Sequence, residues 1–302
     1  MPFLRNLRFR AEYALIRSGI AMLRGLPLDA AGAVMGALVA AVAPATSLHR
    51  RAMANLSVAF PEATVAERRR IAAEMWRNTG RIIAETIQLD RILNDPSLME
   101  IRDREALRRS VAVPGPKLAV TLHLGNWELT AVAASRLGVE LAGVYRRQRN
   151  PYIDRYLRKT RNPLFRTGMY GKGPRRIHSC LEGKPLSLHK LLKEGGHLGL
   201  VCDQIDAGAP FRVPFFGHEA TFTPAPAILA RQVGARILLA RCVRRGRGSR
   251  FVVDVNELKL ETTTDRNADL HRTTAGIANQ FEAWIREDPA QWMWWQRRSI
   301  MG

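Results

Sequence analysis

From Lys117 onward, short apolar runs alternate with helical stretches, and this alternation restricts the fold more than any other feature of the chain. Residues 117–122, 139–145, 197–202, 235–243 and 251–258 read as strands. Residues 127–137, 150–159, 186–193, 224–233 and 270–287 read as helices, with Gly195-Gly196 stopping one of them. The strands are mostly apolar, as strands covered on both faces are. The pattern predicts an α/β fold: a central, mostly covered β-sheet flanked by helices. At 302 residues the chain can bury a full core without covalent staples.

In such sheets ligands gather beyond the carboxyl ends of the strands, and two strand ends carry chemistry. The first strand runs out at His123, followed by a tight turn through Gly125 and Asn126. Glu128 stands five residues after the histidine, in the first turn of a helix that Asn126 is placed to cap. A carboxylate near an imidazole fixes its tautomer and stabilises the protonated ring. A general base acting on a hydroxyl needs both, although a lone His and Glu in a capping turn also arise by chance. A later strand ends at Asp203 and opens a polar loop through Gly208 and Pro210. Phe215, Phe216 and Phe222 come next, as core packing or as the wall of an apolar groove.

The net charge is +20, which implies an anionic partner: nucleic acid, a membrane surface or an acidic protein. Residues 146–176 hold eleven cationic side chains against the single acid Asp154, and 231–250 hold seven arginines and no acid. Genomic arginine bias and solvated faces would account for part of this. Base-stacking aromatics interleaved with the cations, which single-stranded nucleic acid would require, are few. The three cysteines, Cys180, Cys202 and Cys242, have no paired spacing and suit a reducing cytoplasm rather than a zinc or dithiol site.

The N-terminus differs from the rest. Residues 1–24 set Arg5, Arg8, Arg10, Arg17 and Arg24 among Phe and Leu, a basic amphipathic pattern suited to an anionic bilayer. Residues 30–47 carry no charge over 18 positions, barely the length of a span, and are rich in Ala and Gly. These features divide the chain into membrane-associated N-terminal helices (1–50) and an α/β domain (51–302), with a helical hairpin of the soluble fold as the other explanation for 30–47. The arginines favour the cytoplasmic face. Thr64 and Glu67 have the spacing of a capping box at the start of a further helix.

Several landmarks occur in a familiar order: Asn55-Leu56 through Pro61-Glu62; His123 to Glu128; Gly143 to Arg146 with Asn150-Pro151 and Asp154; Cys202-Asp203-Gln204 with Val213 to Phe216; and Gln291 to Trp294 with Arg297-Arg298. Together they cover nearly the whole chain and resemble the lipid A late (lauroyl/myristoyl) acyltransferase family, itself related to the phosphatidylinositol mannoside acyltransferases. The resemblance implies an enzyme at the cytoplasmic face of the inner membrane. Such an enzyme moves an acyl chain from acyl carrier protein to a glycolipid hydroxyl. It needs no metal or cofactor, because the thioester is already activated. The resemblance gives His123 the base position and Glu128 the carboxylate position of an H-x4-E motif. It expects Arg161 (with Arg158 as the fallback), Asp203, Asn126 and Arg146 on the substrate-binding side. The N-terminal anchor is weaker than in relatives. A lysophospholipid or phosphatidylinositol mannoside acceptor is the nearer alternative, and a basic nucleic-acid-binding protein the distant one.

Overall fold

The computed structural model describes residues 2–172, 177–179, 188–204, 211–297 and 300. Arg175, Arg176, Cys180, Arg298, the loop 205–210 and the first residues of the expected helix 186–193 lie outside them.

Helices α1 (Pro2–Arg24), α2 (Leu28–Val42), α3 (Ser47–Ala59), α4 (Val65–Ile87) and α5 (Leu89–Asn94) precede the first strand. The strands are β1 (Met99–Ile101), β2 (Lys117–Thr121), β3 (Leu141–Arg146), β4 (Met169–Lys172), β5 (Ile177–Ser179), β6 (His197–Val201), β7 (Phe211–Phe215), β8 (His218–Phe222), β9 (Arg236–Arg244) and β10 (Phe251–Leu258). Between and after them run α6 (Arg104–Ala112), α7 (Leu129–Arg136), α8 (Pro151–Arg161), α9 (Leu188–Lys193), α10 (Ala225–Val233) and α11 (Arg266–Glu287).

Eight strands form one sheet in the order β1-β10-β9-β2-β6-β3-β4-β5. The central run β9-β2-β6-β3-β4 is parallel, and the β10–β9 and β4–β5 pairs are antiparallel. The α/β expectation therefore holds, with helices covering the sheet. Strand β2 lies at its centre, buried except at Ala119, so the residues after Thr121 emerge at the carboxyl edge of the parallel core. The larger core cluster packs Leu118, Val120, Leu198, Ile237 and Leu239 from the sheet against Met75 and Trp76 of α4 and Phe281 and Trp284 of α11.

Strands β7 and β8 form a separate hairpin that the sequence pattern does not announce. Its turn residues Phe216 and Gly217 both have positive φ, 52° and 73°, the backbone that lets a two-residue hairpin match strand twist. Phenylalanine rarely adopts this conformation. Here its N–H donates to Glu282 and its ring packs edge-on against Phe60 and Phe215.

At the N-terminus the capping box forms as expected: the Thr64 hydroxyl accepts from the Glu67 N–H, and Glu67 accepts from the Thr64 N–H at 2.7 Å. Helix α2 crosses α4 so closely that a Cβ on Gly80 would meet the Met35 carbonyl at 2.2 Å. The opposite face of α2 is open, with Val34, Leu38 and Val42 each more than half exposed. The stretch Leu28–Ala45 has a mean hydropathy of 1.7 and the length of a membrane span, with only 22% of it buried. Residue 50 falls inside α3.

The second arginine cluster is largely spent inside the protein. Arg231 pairs with Asp269, Arg236 with Glu257, Arg241 with Asp254 and Glu287, Arg244 with Glu85, and Arg245 with Asp288. For these five, the excess charge counted along 231–250 is answered by acids distant in sequence and leaves little for an external anion.

Candidate active site

Strands β2 and β6 are parallel neighbours in which Thr121 is opposite Val201. Two residues beyond that pair stand His123 and Asp203, so register alone brings them side by side. Asp203 Oδ1 lies 2.6 Å from His123 Nδ1, and Asp203 Oδ2 accepts the His123 backbone N–H at 2.9 Å. The Trp292 indole N–H donates to the same Oδ2 at 2.8 Å, and the Arg297 guanidinium donates to the Asp203 carbonyl at 3.1 Å.

Asp203 is 2% exposed. Burial alone would push its carboxyl up. The adjacent His123 ring, its hydrogen bond and those from the indole and the backbone N–H outweigh that and hold the carboxyl below the ordinary aspartate value. Beneath it, Arg297 is packed under the hairpin, its guanidinium 4.5 Å from the Phe222 ring centre and 5.3 Å from that of Phe215. Burial lowers its pKa to about 10, opposed by the charge of Asp203.

The loop after His123 is held on both sides. Met293 N–H donates to the His123 carbonyl at 3.0 Å, Gly125 N–H to Gln291 at 3.0 Å, and Asn126 N–H to Cys242 of β9 at 2.9 Å. Gly125 has φ +56°, and any Cβ there would sit 2.0 Å from the Cys242 carbonyl oxygen. Only glycine threads this passage.

Asn126 does not cap the helix after it. Helix α7 begins at Leu129 without a side-chain cap, and the Asn126 amide donates instead to Glu85 at 2.8 Å. Glu85 is fully buried on α4, paired with Arg244 and bonded by the Ser249 hydroxyl at 3.1 Å. A buried carboxylate offsets its desolvation only with such partners. At 1% exposure, Asn126 ties the histidine loop to α4 through this hydrogen bond.

Glu128 is not the carboxylate bonded to the imidazole. It forms a two-pronged pair with Arg161 at the end of α8, with Nε to Oε2 at 2.8 Å and Nη2 on the other oxygen. Both side chains are mostly buried, Glu128 at 9% and Arg161 at 22% exposure. Burial would lower the Arg161 pKa, but the adjacent Glu128 charge and hydrogen bonds leave it raised. Thus His123 is brought to Asp203 and Glu128 to Arg161. Arg146 lies exposed at the end of β3, in neither pair.

The imidazole is 12% exposed. The Trp127 ring meets it edge-on at 4.7 Å. Its Nε2, the nitrogen not committed to Asp203, faces the Gln204 amide nitrogen at 3.4 Å, and that amide donates to Gln296 at 2.8 Å. Trp292, Arg297, Gln204 and Gln296 have no role assigned by sequence reasoning, although the C-terminal Gln-Trp-Met-Trp stretch stands out there as a landmark. The arrangement suits proton abstraction: an oriented imidazole, a buried carboxylate behind it and a reachable ring nitrogen in front.

The family model described as bacterial lipid A biosynthesis acyltransferase matches residues 1–299. No curated protein matches the chain.

Proposed function

The chain belongs to the bacterial lipid A biosynthesis acyltransferase family, and from that premise we propose that it transfers a fatty acyl chain from an acyl carrier protein thioester to a hydroxyl of a lipid A precursor, with His123 as the general base. The observation that carries this reading is the 2.6 Å contact between His123 Nδ1 and Asp203. It directs the proton on Nδ1 to a carboxylate and leaves Nε2 basic.

In this scheme Nε2 takes the proton from the acceptor hydroxyl as its oxygen attacks the thioester carbonyl carbon. Asp203 stabilises the imidazolium that forms. The tetrahedral intermediate collapses with cleavage of the carbon–sulfur bond. The departing thiolate recovers the proton from Nε2, leaving an ester and a free thiol. General-base assistance of this kind contributes about 10²–10⁴-fold. The Gln204 amide beside Nε2 is a neutral donor next to the reacting atoms. Glu128 and Arg161 fix the start of α7 against the end of α8, and Glu85 with Asn126 holds the loop between.

The reading extends to location. Helix α1 exposes Leu4, Leu7, Leu15 and Met22, and α2 exposes Val34, Leu38 and Val42. With one side of α2 packed on α4 and the other open, these helices suit interfacial embedding at the cytoplasmic face of the inner membrane. Mass spectrometry of lipid A from a deletion strain tests the acceptor. Loss of one secondary acyl chain, restored by the wild-type chain and not by His123→Ala, is expected. An unchanged lipid A profile would overturn the assignment.

A further inference from the structure

The first half of helix α1 is fastened to the start of α8. The Asn150 amide donates to the Phe9 carbonyl at 2.9 Å, the Tyr152 hydroxyl to Asn6 at 2.9 Å, and Tyr13 stacks on Tyr152 at 5.9 Å. Below this contact the helices part over an open groove of about 660 Å³. Arg17, Arg24, Arg155 and Lys159 line it, together with Tyr13, Tyr152 and Tyr156. Its one acid among the described lining residues, Asp90, is already taken by Arg24 at 2.7 Å. Among the described residues no carboxylate pairs with Arg17, Arg155 or Lys159; Arg17 rests over the Tyr156 ring at 5.1 Å.

We propose that this groove is a binding subsite for a phosphorylated sugar headgroup of the lipid acceptor. Unpaired cations on facing helices suit a phosphate, which accepts several charge-assisted hydrogen bonds at once. The tyrosines supply apolar faces with hydroxyls at their rims, as a sugar ring requires. The volume is that of a small-ligand site, whereas a protein partner would need about 800 Å² on its side of an interface.

The position fits the reaction. Leu15 and Met22 of α1 are both 77% exposed; with these side chains in lipid, as the proposed location has them, a headgroup can enter the groove while its acyl chains stay in the bilayer. Lys159 is two residues from Arg161. Through Glu128 and then Trp127, Arg161 connects to the His123 ring. A headgroup phosphate held at Arg155 and Lys159 would anchor the acceptor within two helix turns of that connection.

The inference rests on the acyl-transfer reading, and one experiment separates the two. The full chain in neutral-detergent micelles is titrated with a phosphorylated disaccharide lipid A precursor and with the same lipid after phosphatase treatment. Transfer from acyl carrier protein thioester is measured in parallel. The wild type should bind the phosphorylated form about tenfold more tightly. Arg155→Gln/Lys159→Gln should abolish that preference and raise the acceptor KM, with kcat and donor KM held and the melting temperature unchanged, since both side chains are exposed. Three results would overturn the subsite. The double variant could keep the preference; the donor KM could rise instead, which would make the groove a carrier-protein site; or phosphatidylglycerol could displace the glycolipid at equal concentration, which would make it a general bilayer contact. If the wild type keeps its phosphate preference yet transfers no acyl chain, the catalytic reading fails and the subsite stands.

Discussion

Asp203 and His123 are 80 residues apart in the chain, and their carboxylate oxygen and ring nitrogen are 2.6 Å apart. If this pair is the working dyad, Asp203→Asn should cut kcat on the order of 10³-fold or more, because an amide cannot stabilise the imidazolium or enforce the tautomer. The acceptor KM should change little. Steady-state kinetics on the purified variant checks both, and a kcat within a few-fold of wild type would remove Asp203 from the mechanism.

The same carboxylate makes a pH prediction. Its folded pKa is depressed relative to an ordinary aspartate, so its stabilisation is fully present above the unfolded value. That stabilisation is lost as pH falls through the folded value. The wild type should therefore lose melting temperature as pH drops below about 4, and Asp203→Asn should lose less over the same interval. Equal slopes for the two proteins would contradict the assignment.

Glu128 and Arg161 should behave as one unit. Removing either partner leaves a mostly buried charge uncompensated, at a cost of about 3 kcal/mol. Glu128→Ala and Arg161→Ala should each lower the melting temperature and activity together. The double variant should be no worse than either single one. Additive losses in denaturant unfolding would show that the pair is not coupled.

Geometry explains how much of the fold and site is legible in the sequence. The central strands are readable because they are covered on both faces and mostly apolar, as in the Leu118–Val120 stretch of β2 and the Ile237–Ala240 stretch of β9. The three-residue strands β1 and β5 are too short to show a period. The β7–β8 hairpin is hidden because Pro214 and a Phe216 in left-handed backbone contradict ordinary strand and turn chemistry. His123 is visible as a polar residue ending an apolar run. Sequence proximity assigns it Glu128 as partner. The Gly125 turn carries the chain past the imidazole, so Glu128 meets α8, while Asp203 arrives from the adjoining parallel strand. Strand order, which one sequence does not display, decides between the two.

Gly125→Ala should be among the most damaging single substitutions. The added methyl would lie 2.0 Å from a backbone oxygen of Cys242, at a residue with positive φ. Relief requires moving β9 or the histidine loop, which should cost about 2–4 kcal/mol. Denaturant melts of the purified variant measure this, and a shift under about 0.5 kcal/mol would mean the loop is not seated as described.

The open face of α2 should govern membrane attachment. Val34→Asp/Leu38→Asp places charges where both side chains are more than half exposed, so the fold should survive. The variant should pass from the membrane fraction to the salt-wash supernatant while retaining turnover in detergent. Unchanged partitioning would assign attachment elsewhere.

The most direct test of the account is single-turnover acyl transfer by purified wild-type and His123→Ala proteins, using acyl carrier protein thioester and a lipid A precursor. The account requires transfer by the wild type and a loss of at least about 10²-fold in the variant, with the melting temperature retained. Wild-type turnover by folded His123→Ala would contradict it.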